Sequence, residues 1–391
     1  MTPAARVQAA IEILDVVIAA ARNAGAPADR IVADWFKTRR FAGSGDRRAV
    51  RDLVFRAVRA CGEVPESGRA AMLLLASEDP SLAGLFDGSP HAPAPIVPGE
   101  AIASAGVAPS WLVAALAQSG ITGAEAASLL ERAPLDVRVN ALRAGLAELP
   151  TGGERTVAAN GWRYPHGTRI EDTAAWAAGM IEVQDTGSQL ACEAMEARPG
   201  ESVVDLCAGG GGKTLALAAA MQGKGRLVAT DTDRGRLSRL APRASRAGVD
   251  IIETRLLDPN RERDQFADWF GQADAVLVDA PCSGTGTWRR NPEARWRLTP
   301  AQLERYVAVQ ARLLDLAATL VRSGGRLVYV TCSLLDAEGA DQAQRFLDRN
   351  AGAWKAELPL LAAGAARGPG LRLSPYHDGT DGFFIARFRA L

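Results

Sequence analysis

At 391 residues the chain is long enough for one large domain with one or two smaller ones beside it. Basic and acidic side chains balance at 45 each, so net charge gives no general attraction to nucleic acid, and no apolar run reaches the roughly 18 residues of a membrane span. Five cysteines without a closely spaced pair and only three histidines argue against a disulfide framework or a metal centre, and a reducing, cytoplasmic compartment is expected.

The N-terminal third reads as helical. Val7, Ile11, Leu14 and Ile18 recur at helical spacing over residues 4 to 23, without the apolar core of a signal peptide. Further helices are expected at 28 to 36, 46 to 61, where Val50, Leu53, Val54 and Val58 form the stripe, and 67 to 77. Arg39, Arg40, Arg47, Arg48 and Arg51 surround the turn at Gly43 to Gly45. Such a basic corner can hold RNA phosphate, and a solvated face accounts for it equally well. Nearly all basic side chains are Arg, with Lys only at 37, 213, 224 and 355, an excess that genome composition would also produce.

Four prolines between Ser89 and Pro98 make an extended tether. Short helices at 111 to 118 and 123 to 132 follow, with Trp111 expected in the core, then strand character at 134 to 140 and shorter strands near Val157 and 162 to 164. The expected division is a helical domain over 1–95, an adapter over 96–170 and an α/β domain over 171–391.

In that last part, strand patterns at 203 to 206, 226 to 230, 250 to 254, 275 to 279, 326 to 331 and 382 to 388 alternate with helices near 212 to 222, 233 to 247, 301 to 321 and 336 to 350. The alternation predicts a Rossmann-like, mainly parallel sheet with helices on both faces and ligands beyond the carboxyl ends of the strands. The first strand runs through Asp205 into Cys207, Ala208, Gly209, Gly210, Gly211, Gly212, Lys213 and Thr214. A P-loop lacks its first glycine here, because Cys207 stands at that position, and the dinucleotide spacing would need glycine at Thr214. A nucleoside cofactor without pyrophosphate, S-adenosylmethionine, fits better than a phosphate ligand or a purely structural turn. Asp231 ends the second strand where ribose hydroxyls would lie, and Asp258 follows the third where it could face adenine; caps of loops remain the alternative for both.

The fourth strand delivers Asp279-Ala-Pro-Cys-Ser-Gly-Thr-Gly286 and the fifth Thr331-Cys-Ser333. Two thiols at the ends of neighbouring strands, Cys282 and Cys332, would share a cleft with the Gly-rich loop. Thiolate addition at C6 makes cytosine C5 nucleophilic enough to take a methyl group, and loss of the C5 proton then releases the enzyme. Lys213 is a source of positive charge that favours a thiolate, and Asp279 is placed to bond the polar edge of the base. A ring held between two thiols must leave its stack, which is easier for unpaired RNA than for a duplex.

These segments, with Leu135 to Leu142, Val183 to Leu190 and Asp381-Gly-Phe-Phe-Ile-Ala-Arg387, resemble the NOL1/NOP2/Sun family of RNA 5-methylcytosine methyltransferases, in particular the bacterial 16S ribosomal RNA enzymes. Residues 1 to 75 resemble more weakly the NusB-type RNA-binding domain attached to some members. The resemblance implies that Cys332 is the nucleophile and that Cys282 helps to release the product, an order that spacing alone leaves open. It also implies Asp279 and Lys213 beside the cytosine and the thiols, and Asp231 and Asp258 beside S-adenosylmethionine. The family's usual loop carries Ala-Pro where Gly209 and Gly210 stand, so a looser loop is expected here. Arg289, Arg290 and Arg295 follow the catalytic turn and could guide the RNA backbone, or belong to a hairpin held by Trp296. The expected partner is RNA, 16S rRNA first, with tRNA or a noncatalytic RNA-assembly role as alternatives; the expected state is a monomer without metal.

Overall fold

Thr2 and Pro3 start the first helix as their chemistry requires: the Thr2 hydroxyl accepts the Ala5 amide and Pro3 sits in the first turn, where no amide proton is needed. The protein is described here by a computed structural model covering residues 1–391 except Ala144 and Leu146. Two compact units result, one formed by Met1–Glu131 with Thr287–Thr299 and the other by Arg132–Gly286 with Pro300–Leu391. These limits do not coincide with the expected boundaries at 95 and 170. Helices at Ser110–Gln118 and Gly123–Ser128 stay in the first unit, and the strand at Leu135–Val139 opens the second by pairing with Ile181–Val183.

In the helical unit, α1 (Pro3–Arg22), α2 (Ala28–Lys37), α3 (Ser44–Ala60) and α4 (Gly68–Glu78) bury the stripes read from their spacing. Val7, Leu14, Val50, Val54 and Val58 are fully buried, each worth about 1.5–3 kcal/mol relative to exposure. Trp111 is only half-buried; Leu112 and Leu116 anchor its helix instead.

The segment 287–299 is built into this helical unit. Glu293 accepts the Ala28 amide at the start of α2 at 2.9 Å. Arg297 donates to the carbonyls of Gly25 at 2.8 Å and Ala26 at 2.6 Å, just beyond α1. Arg295, with no exposed surface, donates to Val58 O at 2.6 Å and Cys61 O at 2.8 Å at the end of α3. Helix ends leave unpaired amides and carbonyls, and one short segment satisfies several of them.

The second unit holds a small sheet and a large one. In the small sheet, β1 (Leu135–Val139) pairs antiparallel with β3 (Gly161–Tyr164) and β4 (Ile181–Val183), and β2 (Glu154–Arg155) extends it. The large sheet is built from β5 (Ser202–Leu206), β6 (Arg226–Asp231), β7 (Ile252–Leu256), β8 (Ala273–Asp279), β9 (Val321–Thr331), β10 (Trp354–Ala356), β11 (Ala365–Arg367), β12 (Gly370–Leu373) and β13 (Phe383–Ala390). Its order is β11-β12-β13-β9-β8-β5-β6-β7, with β10 beside β13; β9, β8, β5, β6 and β7 run parallel. Alternate residues enter two cores as a period of two demands: Val203, Ala275 and Val328 on one face, Val204, Val276 and Leu327 on the other. Helices α5 (Gly212–Ala220) and α6 (Leu240–Ala247) cover the first face, α7 (Pro300–Leu320) and α8 (Ala340–Arg349) the second.

The single helix expected over 233 to 247 is two helices, Arg234–Leu237 and α6. Pro242 lies in the first turn of α6, the place in a helix where its missing amide costs nothing. Among the described residues no helix is long and apolar enough to cross a membrane.

Candidate active site

Every strand of the parallel set points its carboxyl end at one rim, and the polar residues read from the sequence as strand ends collect there. Asp205, at the end of β5, is fully buried and accepts the Thr214 hydroxyl at 2.6 Å, while its other oxygen has no protein partner. Burial, opposed by that hydroxyl bond and reinforced by the charges of Asp279 and Asp231, pushes its pKa up to about 7.

The Gly-rich loop follows. Cys207, Gly209 and Gly211 have left-handed backbones with φ of 69°, 56° and 83°. Gly211 is required twice over, because a Cβ there would stand 2.1 Å from the Leu240 side chain. The Ala208 amide is tied to Thr230 O at 2.7 Å, and the Gly209 amide to Asp231 Oδ2 at 2.8 Å. Asp231 is thereby fixed across the loop, its other oxygen accepting the Asp233 amide at 2.7 Å. Asp258 lies exposed past the end of β7. Burial, reinforced by the charges of Asp231, Asp279 and Asp205, pushes the Cys207 thiol far up.

The loosened loop expected from Gly209 and Gly210 has a restraint that the sequence did not reveal. Arg243 on α6 donates to Gly210 O at 2.5 Å and to Glu182 Oε2 at 2.9 Å, and the Arg236 guanidinium lies over Gly209. Glu182, almost wholly buried, also pairs with Arg246.

Lys213, the second residue of α5, donates to Asp279 at the end of β8 at 2.7 Å. Burial opposes the lysine's charge, but Asp279 and the nearby Cys192 and Cys332 outweigh it and hold the ammonium protonated. β8 and β9 are parallel neighbours in a register that sets Asp279 against Val330. Their continuations bring Cys282 Sγ within 3.4 Å of Cys332 Sγ, both partly accessible. Gly286 closes the Cys282 loop by donating to Cys332 O at 3.0 Å and accepting the Gly382 amide at 2.8 Å. A Cβ on Gly286 would stand 2.1 Å from Gly382 O, which is why glycine is needed in both segments. The Cys282 thiol is pushed well up, first by its hydrogen bond to Cys332, then by burial and by the charges of Cys332 and Glu338.

Of the residues expected at the site, Cys207 to Lys213, Asp231, Asp279, Cys282 and Cys332 therefore meet at one rim. The RNA-directed arginines separate into two groups. Arg40, Arg47 and Arg48 are exposed, and Arg39 stacks over Trp35 at 4.0 Å. Arg290 is exposed and Arg289 is buried. Arg295 does not reach for RNA: its guanidinium is spent on main-chain carbonyls inside the helical unit, and Trp296 beside it joins the helical core. Residues that sequence reasoning missed are Arg243 and Glu338, because the bonds from Arg243 to Gly210 and from Ser283 to Glu338 span tens of residues and no local pattern marks them.

A parallel sheet with a Gly-rich loop after β5, an acid after β6 and reactive side chains after β8 and β9 defines a Rossmann-like methyltransferase fold. Residues 192–389 match the model of the family described as 16S rRNA methyltransferase RsmB/F, and the chain belongs to that family. It is 32% identical over 300 residues to the probable ribosomal RNA small subunit methyltransferase B of Synechocystis, an alignment covering 72% of this chain and 66% of the relative. The solved structure of PH0851 aligns over 99% of both chains with a TM-score of 0.73 and 24% identity, a likeness of fold. A methyltransferase homolog protein from Pyrococcus horikoshii aligns over 72% of this chain and 99% of its own, with a TM-score of 0.59 and 27% identity. The chain spans just under two thirds of the length of relatives such as the Synechocystis protein.

Proposed function

We propose that this chain is a cytoplasmic, monomeric enzyme that transfers a methyl group from S-adenosylmethionine to C5 of a cytosine in RNA, 16S rRNA by its family, through a covalent bond from Cys332 to C6. The observation that carries the reading is the pair of thiols 3.4 Å apart at the ends of β8 and β9, with the Lys213–Asp279 pair at the same rim. One thiol suffices for a nucleophile; two in contact suit a reaction in which one sulfur adds and another group must later take a proton.

The residues present fit the cofactor: the left-handed glycines of the loop would let it approach the backbone closely, Asp231, fixed across that loop, would accept ribose hydroxyls, and Asp258 lies further along the rim. S-adenosylmethionine, once bound, supplies an electrophilic methyl group. Lys213 keeps positive charge beside Cys332, which favours its thiolate and stabilises negative charge developing on the pyrimidine. Asp279, held by Lys213, is available to the polar edge of the base. Attack turns the Cys332 sulfur into a neutral thioether, and with that the part of the hold on the Cys282 proton that comes from Cys332 is removed, while Glu338 keeps its own. Cys282 can then lose its proton to solvent and, as thiolate, take the C5 proton while the Cys332–C6 bond breaks. Arg40, Arg47 and Arg48 are proposed as phosphate contacts, with Arg289 and Arg290 as further candidates.

The test is a tritiated-methyl assay with transcribed 16S rRNA, tRNA and matching DNA. Cys332→Ala should abolish transfer while retaining cofactor binding, and Cys282→Ala should accumulate a protein–RNA adduct on denaturing gels. Normal turnover by Cys332→Ala would end the proposal. Mapping 5-methylcytosine in total RNA with the gene present or deleted then distinguishes rRNA from tRNA.

A further inference from the structure

Beneath the two thiols lies a carboxylate that the chemistry above does not use. Glu338 is fully buried, and the partners of its carboxylate are all uncharged. Oε1 accepts the Ser283 amide at 2.9 Å and the Gln310 side-chain amide at 3.0 Å. Oε2 accepts the Ser333 hydroxyl at 2.6 Å and also the Ser283 hydroxyl. The two serine oxygens are themselves 3.1 Å apart. Gln310 extends the network by donating to Pro281 O at 2.9 Å, and the Tyr329 hydroxyl donates to the Glu338 carbonyl at 2.6 Å. An ionised carboxylate offers only acceptors, and four donors are aimed at it.

Ser283 follows Cys282 and Ser333 follows Cys332, so one side chain grips the residue after each thiol. Burying a carboxylate without a cation costs several kcal/mol, offset here only by the donors. A fold that needed Ser283 and Ser333 only for packing could have joined them through neutral groups.

We propose that Glu338 is the positioning residue of the two-thiol centre: its carboxylate clamps both cysteine-bearing segments at a fixed sulfur-to-sulfur spacing and brings a negative charge to the Cys282 side of the pair. The inference rests on the roles given to the cysteines under the proposed function. The electrostatics agree with it, since Glu338 contributes to raising the Cys282 thiol, whereas the ammonium of Lys213 is coupled to Cys332. Tyr306 and Tyr329 also interact with Cys282, with Arg305 beside Tyr306. Both phenols are raised and neutral near pH 7, so they add no charge to the centre.

The experiment uses the full chain without RNA or cofactor. Wild type and Glu338→Gln are treated with iodoacetamide at mildly alkaline pH, and labelling at Cys282 and Cys332 is quantified by peptide mass spectrometry. Wild type should label Cys332 in preference to Cys282, and Glu338→Gln should narrow that ratio by about tenfold, the effect of one pKa unit on thiolate fraction. General loosening would instead raise both rates together. Methyl transfer by Glu338→Gln should lose kcat with KM for RNA unchanged, while Glu338→Asp, which keeps the charge but shortens the reach, should retain the labelling ratio and still lose kcat. An unchanged ratio in folded Glu338→Gln overturns the inference and leaves the proposed function standing; wild type inactive on every RNA sinks the proposed function instead. Should Glu338→Gln fail to fold, Ser283→Ala decides: lower kcat at unchanged KM supports the clamp, and wild-type kcat refutes it.

Discussion

Replacing Arg243 with Met tests how a loop of four glycines can hold a cofactor. Arg243 joins Gly210 O at 2.5 Å to Glu182 Oε2 at 2.9 Å, so its loss frees the carbonyl in the middle of the loop and leaves Glu182 to Arg246. A hydrogen bond from a charged donor contributes about 1.5–3 kcal/mol. Arg243 is 28% exposed, so water replaces part of that, and the lower end of the range applies. Freed of the brace, Gly209 and Gly210 would have to be ordered when the cofactor binds, at about 1–2 kcal/mol per residue. The ordering cost of the two residues, about 2–4 kcal/mol, predicts S-adenosylmethionine binding weakened by about 30–700-fold. Arg243→Lys should fall between, because a single ammonium cannot serve two acceptors with the span of a guanidinium. Calorimetric titration of the full chain reads the affinity, with thermal unfolding followed in parallel. Binding by Arg243→Met within about threefold of wild type, in a folded protein, would refute the brace.

Two further outcomes follow from buried charged groups. Arg295→Met strands the carbonyl of Val58 and leaves that of Cys61 only the Trp296 indole at 3.3 Å, so it should destabilise the helical unit by about 1–3 kcal/mol for the orphaned group. Hydrogen exchange at the end of α3 reports this, and a loss of RNA affinity without a loss of protection would restore the RNA-contact reading of Arg295. The pKa of Asp205, raised to about 7 from an ordinary 3.8, means that the folded state holds a proton which the unfolded chain releases. Its contribution to stability is therefore greatest in acid and declines as pH rises from about 4 to about 7, by on the order of 1 kcal/mol per unit, levelling off above. In urea titrations, the stability of wild type relative to Asp205→Asn should fall across that interval; a difference independent of pH would show that Asp205 is ionised throughout.

The sequence by itself determined the parts that depend on neighbours along the chain. Period-two apolar runs marked β5, β6, β8 and β9, the period near four marked α1 and α3, and a strand that ends in Asp or Cys carries that residue to the sheet's carboxyl rim in any parallel arrangement. That is why Asp231, Asp279, Cys282 and Cys332 could be named from spacing. Local patterns also had limits within their own range, as Pro242 shows by dividing one expected helix into two. What the tertiary structure alone decided is how side chains distant in sequence pair with one another. Arg295 and Arg40 look alike in a sequence, yet one is exposed and the other ends on carbonyls more than 230 residues earlier. Arg243 finds Gly210, and Glu338 joins Ser283 to its near neighbour Ser333, only because the sheet order brings α6 over the Gly-rich loop and β9 beside β8. A buried polar group must be satisfied, but which partner satisfies it is set by packing, and packing is a property of the folded chain.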